Sequence, residues 1–309
     1  MFGSSRYNYE EFRRGTLMKD LTKAKFGSAP EPGEKVPDFE LRTLEGDKIR
    51  LSELQDRANV VLTFGSATCP LTAASLAALQ QLHKKYREQG VEFLFVYVRE
   101  AHPGERLPAH RAMQDKARAA AVLREEEGIT FPILIDDLSG KVHRRYGSLP
   151  NPTYIIDRSG RIAFRSFSSR PDAVREALEE LIERQEERNV DHAVVRGGED
   201  RGWPVLSSLL HSYRALERGG ERSLRGFQRE LGFPGRLALM GSRVASPVIE
   251  HPRAIAATVA AVAGVLGLGL WVGLILRRRR FEQIPYHGYD YASGSSRRGA
   301  SDDYEAVGI

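Results

Sequence analysis

The chain has 309 residues, 41% of them hydrophobic, so its size permits a well-packed core and excludes wholesale disorder. Lys and Arg (46) exceed Asp and Glu (41) by five, too small and too scattered an excess for a dedicated nucleic-acid binder. One cysteine, Cys69, excludes an internal disulfide, a CxxC redox pair and a cysteine-built structural zinc site.

Residues 1–35 read as an N-terminal extension. Their first stretch alternates charge with single aromatics and holds no apolar core, so no secretory signal peptide is expected. Residues 36–188 alternate β-rich and helical stretches. Asp38 to Thr43 and Lys48 to Leu51 flank Glu45-Gly46-Asp47 and predict a hairpin. Asn59 to Phe64 is apolar on both faces, the pattern of a buried strand, and runs into Gly65-Ser66-Ala67-Thr68-Cys69-Pro70. A helix follows from Pro70 and stops at Gly90. Val91 to Val98 predicts a strand, Ala109 to Glu127 a helix, and Phe131 to Asp136 another strand. Thr153 to Asp157 and Arg161 to Ser166 turn about Ser159-Gly160, and Pro171 opens a last helix to about Glu187. The order β-α-β-α-β-β-α behind a hairpin is that of a thioredoxin-like α/β fold with an N-terminal β-hairpin extension.

Residues 189–252, dominated by Arg, Gly and Glu, read as a charged juxtamembrane connector. Two amphipathic stretches in it, Val205 to Leu216 and Ser223 to Leu231, would lie on a membrane with Arg214, Arg218, Arg222, Arg225 and Arg229 on lipid phosphates, or else form a solvated linker. Ala254 to Leu276 carries no charge and only the Thr258 hydroxyl; as a helix it would span about 34 Å. Within 253–276 a single transmembrane helix is therefore expected. Residues 277–309 follow as a basic collar, Arg277 to Arg280, and a disordered tail. Gly269 and Gly273, four apart, form a weak helix-pairing motif, which keeps a homodimer among the expected assemblies. The expected location is a single-pass membrane protein with a C-terminal anchor. A cytoplasmic N-terminal domain is favoured, because translocating so long a domain without a signal is difficult.

Cys69 stands where a buried strand meets Pro70 at the first position of a helix. Unpaired amides and the positive helix end there favour the thiolate, so a nucleophilic sulfur with a lowered pKa is expected. A small buried hydrophobe is the opposing reading. A peroxiredoxin would place Pro seven and Thr three residues before its cysteine; Leu62 and Ser66 hold those places.

The stretch Phe64-Gly65-Ser66-Ala67-Thr68-Cys69-Pro70 closely resembles the signature of iodothyronine deiodinases, with Cys69 in the place of their selenocysteine. Glu100-Ala101-His102-Pro103, His110 with Gln114-Asp115, and Leu149-Pro150 ahead of Thr153-Tyr154-Ile155-Ile156 are similar to further elements of that family. The resemblance runs from about Val36 to Ser166. It implies reductive removal of iodide by attack of a chalcogenolate on the halogen. Cys69 would be the nucleophile, and His102 and His110 the proton donors or orienters. Ser66, Thr68, Pro70 and Pro152 would support the site, Pro152 as the cis-proline that thioredoxin folds often set against the cysteine. No metal and no cofactor are expected. Without a resolving cysteine, an external reductant, a small thiol or a dithiol protein, must clear any sulfenyl species. The expected partners are thus a thiol reductant and the lipid bilayer, and not nucleic acid. A one-cysteine peroxidase and a redox-inactive membrane adaptor are the rival readings.

Overall fold

The computed structural model describes residues 7–15, 29–195, 208 and 210–250. One seven-stranded sheet runs through it in the order β2-β1-β5-β4-β3-β6-β7. The expected hairpin is β1 (Glu40–Thr43) and β2 (Lys48–Arg50), paired antiparallel with Glu40 opposite Arg50. Gly46 turns it at φ +101°, a conformation that a side chain would strain. At the centre, β3 (Asn59–Gly65), β4 (Val91–Tyr97) and β5 (Ile133–Ile135) are parallel, and β6 (Thr153–Ile156) and β7 (Ile162–Ser166) close the far edge antiparallel.

All seven positions of β3 are buried because both faces of the sheet are covered. Val61, Phe93 and Phe95 meet the three long helices α1 (Pro70–Tyr86), α2 (Met113–Glu127) and α4 (Pro171–Arg188), through Leu76, Leu79, Leu123 and Leu178 among others. On the other face Leu62, Phe64, Leu94 and Val96 pack with Phe39, Leu51, Tyr146 and Tyr154. The thioredoxin-like α/β fold expected from the sequence is therefore present, its hairpin joined to the sheet through β1 against β5.

One helix start and one additional helix differ from expectation for local reasons. α2 begins at Met113 rather than Ala109, because the Asp115 carboxylate accepts the Arg111 and Ala112 amides at 3.0 Å and fixes the start there. A short helix α3 (Lys141–Arg145), not foreseen, forms where Asp137 accepts the Lys141 amide and Asp136 accepts those of Val142 and His143.

The larger correction concerns the connector. It forms α5 (Ser212–Gly219) and α6 (Glu221–Glu250), the latter broken at Gly232 (φ +61°, ψ −139°). Arg218 reaches neither lipid nor water. Its side chain is 2% exposed and is held by the α2 carboxylates Glu126 and Glu127 and by the Ala67 carbonyl. Charge complementarity with the end of α2 docks α5 on the domain, a pairing that the arginine-rich sequence did not disclose. The expected span at 254–276, the collar and the tail lie outside the described residues. Among the described residues no helix is long and apolar enough to cross a membrane.

Candidate functional site

Cys69 closes the turn after β3: its amide donates to the Ser66 carbonyl at 3.2 Å, and its own carbonyl receives the Ala73 amide at 3.1 Å, starting α1. Pro70 sits at the first helical position, where a missing N–H costs nothing. The Thr72 amide and hydroxyl and the Leu71 amide favour the charged form of the sulfur. A Cβ at Gly65 would press on Thr72 Oγ1 at 2.5 Å, so only glycine lets that hydroxyl settle beside the strand end. Asn151 Nδ2 donates to the Phe64 carbonyl at 2.8 Å and lies 3.4 Å from Thr72 Oγ1, tying β6 to the same turn.

These donors do not produce the lowered thiol expected from the helix end. Cys69 is 2% exposed, and burial pushes the thiol up by more than the Thr72 and Leu71 donors pull it down, with the Glu100 charge adding to the rise. In this closed arrangement the sulfur is held as a thiol.

Glu100 organises everything around it. Its Oε2 accepts the Thr68 amide at 3.0 Å and the Thr68 hydroxyl at 2.6 Å, and its Oε1 accepts the Tyr97 hydroxyl. His110 Nε2 stands 3.3 Å from Oε1, near enough for charge attraction but off the line of a hydrogen bond. Burial alone would raise the Glu100 carboxyl; His110 and the Thr68 and Tyr97 hydroxyls outweigh it and leave the group ionised, below its ordinary range. The supports Ser66 and Thr68 then clamp the histidine loop: Ala101 N–H donates to Ser66 Oγ at 3.2 Å and His102 N–H to Thr68 Oγ1 at 3.0 Å. Cys69, His102 and His110 are thus brought to one end of the sheet.

Burial pushes His102 down to about 3, only partly opposed by the Glu100 charge, so the ring is neutral at pH 7. Its Nδ1 is buried without a hydrogen bond. Phe12 lies over the ring at 4.1 Å between centroids, and Phe227 of α6 meets it edge-on at 5.5 Å. Ser223 Oγ donates to the His102 carbonyl at 2.5 Å, the Arg106 amide to the Gly219 carbonyl at 3.0 Å, and a Cβ at Gly104 would collide with that carbonyl. Glu105 accepts the Glu221 and Arg222 amides at 2.5 and 2.8 Å and so caps α6 from inside the histidine loop. The α5–α6 elbow and residues 7–15 form a cover over the site. A cavity of about 220 Å³, lined by Phe12, Pro103, Arg222, Arg225 and Arg229 among others, remains between them.

Pro152 corrects another expectation. No peptide bond among the described residues is cis. The Pro152 carbonyl accepts the Phe64 amide at 3.0 Å while the Asn151 side chain bridges Phe64 O and Ser169 N, and these bonds hold the trans turn. Among the described residues no group of three or more His, Cys, Asp or Glu side chains is placed to hold a metal ion. Sequence reasoning missed Thr72, Tyr97, Phe12 and the inward role of Arg218. It quoted Glu100 only within a motif, although a carboxylate two residues before His102 was the available signal.

The thioredoxin-like domain thus carries one buried cysteine at a strand-to-helix turn, with two histidines grouped beside it by a carboxylate. Residues 32–165 match the AhpC/TSA family. Human thyroxine 5-deiodinase is 30% identical over 149 residues, 45% of this chain and 46% of that protein. The sheep enzyme is 33% identical over 115 residues, 34% and 38%. The type I iodothyronine deiodinase of Xenopus laevis is 28% identical over 160 residues, 48% and 62%. The chain therefore spans about half the length of the curated relatives it matches. A solved structure, the putative thiol:disulfide interchange protein DsbE from Chlorobium tepidum, is 25% identical over 49% of this chain and 95% of that one, with a TM-score of 0.39. The resemblance to deiodinases read from the sequence stands, over a thioredoxin-like domain that is similar to the AhpC/TSA family.

Proposed function

We propose that this chain is a membrane-anchored, thiol-dependent oxidoreductase that removes halogen reductively from aromatic substrates, with Cys69 as the nucleophile. The observation that carries this reading is the Glu100 network, which groups His102 and His110 with the turn bearing Cys69. Opening of the cover lets water in and lifts the burial cost of the thiolate, while the Leu71 and Thr72 donors stay in place. The thiolate attacks iodine, the carbon–iodine electron pair passes to the ring carbon, and that carbon takes a proton. His102, neutral and with a free Nδ1, orients the substrate; His110, facing ionised Glu100, serves as the proton source. The first external thiol displaces iodide from the sulfenyl iodide and leaves a mixed disulfide. The second releases Cys69 as thiol. Overall, aryl iodide and two thiols become arene, iodide, a proton and a disulfide.

Iodide release from an iodinated phenol with dithiothreitol tests this. Wild type is expected to turn over and Cys69→Ser to be inactive; equal rates in both would sink the assignment. The match to the AhpC/TSA family favours one rival, peroxide reduction. Rapid sulfenic acid formation on Cys69 with hydrogen peroxide, without iodide release, would select it, and neither reaction would select the adaptor. The 254–276 run is the proposed anchor, with the domain on the cytoplasmic side. Resistance to alkaline extraction and protease protection on vesicles test those two statements separately.

A further inference from the structure

Beyond Gly232, α6 changes character. Leu239 and Ser242 are buried, and Ser242 Oγ accepts the Tyr213 amide and donates to the Leu210 carbonyl, both at 2.8 Å, so one face is committed to α5. Phe233, Leu237, Met240 and Val244 are 76%, 60%, 68% and 77% exposed. Steps of four, three and four put them on one stripe of the helix. Every large hydrophobic side chain among the described residues that is more than half exposed belongs to this stripe. Arg236 and Arg243, both exposed, flank it on one side, Arg243 lying over the Tyr213 ring at 5.6 Å. No Asp or Glu occurs between Glu230 and Glu250, and the uncharged run begins at Ala254, four residues further along the sequence.

We propose that residues 233–250 lie in the headgroup region of an anionic bilayer, the Phe233-Leu237-Met240-Val244 stripe facing the acyl chains and Arg236 and Arg243 reaching lipid phosphates. A stripe of apolar side chains bordered by basic ones, without acidic interruption, suits an interfacial helix. Continuity with the 254–276 run puts the bilayer on this side, and to that extent the inference rests on the anchor reading above. The membrane contact thereby moves from the arginines of α5 and early α6, which serve the site's cover, to a surface that nothing else described occupies.

The full chain carrying Cys69→Ser and Met240→Cys, labelled with a polarity-sensitive nitrobenzoxadiazole, is reconstituted into vesicles of phosphatidylcholine and phosphatidylserine with or without headgroup-nitroxide lipid. A label on Glu186→Cys is the control. Emission at position 240 is expected to be quenched about two-fold by the nitroxide lipid, and the control left unchanged. A low-polarity but unquenched label would overturn the proposal in favour of a covering protein segment or a second copy. A water-exposed label on a chain that floats with the vesicles would overturn it while the anchor stands. A chain that does not float at all removes the anchor and the proposal together.

Discussion

Two regions meet at His102 and are held in opposite ways. The Glu100 network is built from residues 66–110, on strands and turns of one domain, and every oxygen of the carboxylate faces a partner. The cover is assembled from residues far away in sequence: Arg218 on Ala67, Ser223 on His102, Phe12 and Phe227 on one imidazole. The first is buried in the core, so losing it costs stability. The second is a set of separate contacts over His102 and the Cys69 turn, each of which a single substitution can remove.

Glu100→Ala should give the largest effect. It strands the Thr68 amide and hydroxyl and the Tyr97 hydroxyl in a buried site, for a loss of about 3 kcal/mol or more in a urea melt. Acid comes next. His102 and His143 are both pushed down to about 3 by burial, so the unfolded chain binds more protons than the folded one between roughly pH 6.5 and 3. Stability is present above that window and should fall by up to about 1.4 kcal/mol per pH unit for each histidine as pH drops through it. His143→Gln should flatten the slope in melts at stepped pH.

Arg218→Ala separates the two regions more directly. It leaves Glu127, whose side chain is 6% exposed, without its closest cation, and should cost the α5 contact about 2 kcal/mol. The domain should stay folded while Cys69 alkylation accelerates; an unchanged alkylation rate would mean that the elbow does not limit access. Phe12→Ala should raise the His102 titration point toward the ordinary histidine range, because burial is what depresses it, and NMR titration of the ring reads this. The smallest effect belongs to Thr72→Val. Loss of the hydroxyl donor should move the Cys69 thiol further up in an alkylation–pH profile, without unfolding the chain.

Much of the first region was legible in the sequence because its signals are local. An apolar run at β3, Pro70 after Cys69, and Gly90 behind α1 each name a structure through backbone chemistry. The grouping of Cys69, His102 and His110 followed from motifs that lie at strand ends. Neither the raised Cys69 thiol nor the neutral His102 could be read this way, because both follow from burial beneath chain segments with no pattern of their own. Arg218 looked like one basic residue among many; its meaning depends on Glu126 and Glu127, about ninety residues earlier. Pro152 shows the reverse error, an analogy of position overruled by the hydrogen bonds of Asn151.

Gly232 has a mechanical meaning. A continuous helix is a strut that carries a push at one end to the other, but here φ +61° interrupts the rod between Phe227 and Phe233, with open space around the position where a Cβ would stand. The joint divides the load. The outer rod meets a bend at Gly232 before the inner rod, which is pinned at Glu105 and Ser223 above the imidazole, and its other path to the site runs sideways through Ser242 into α5.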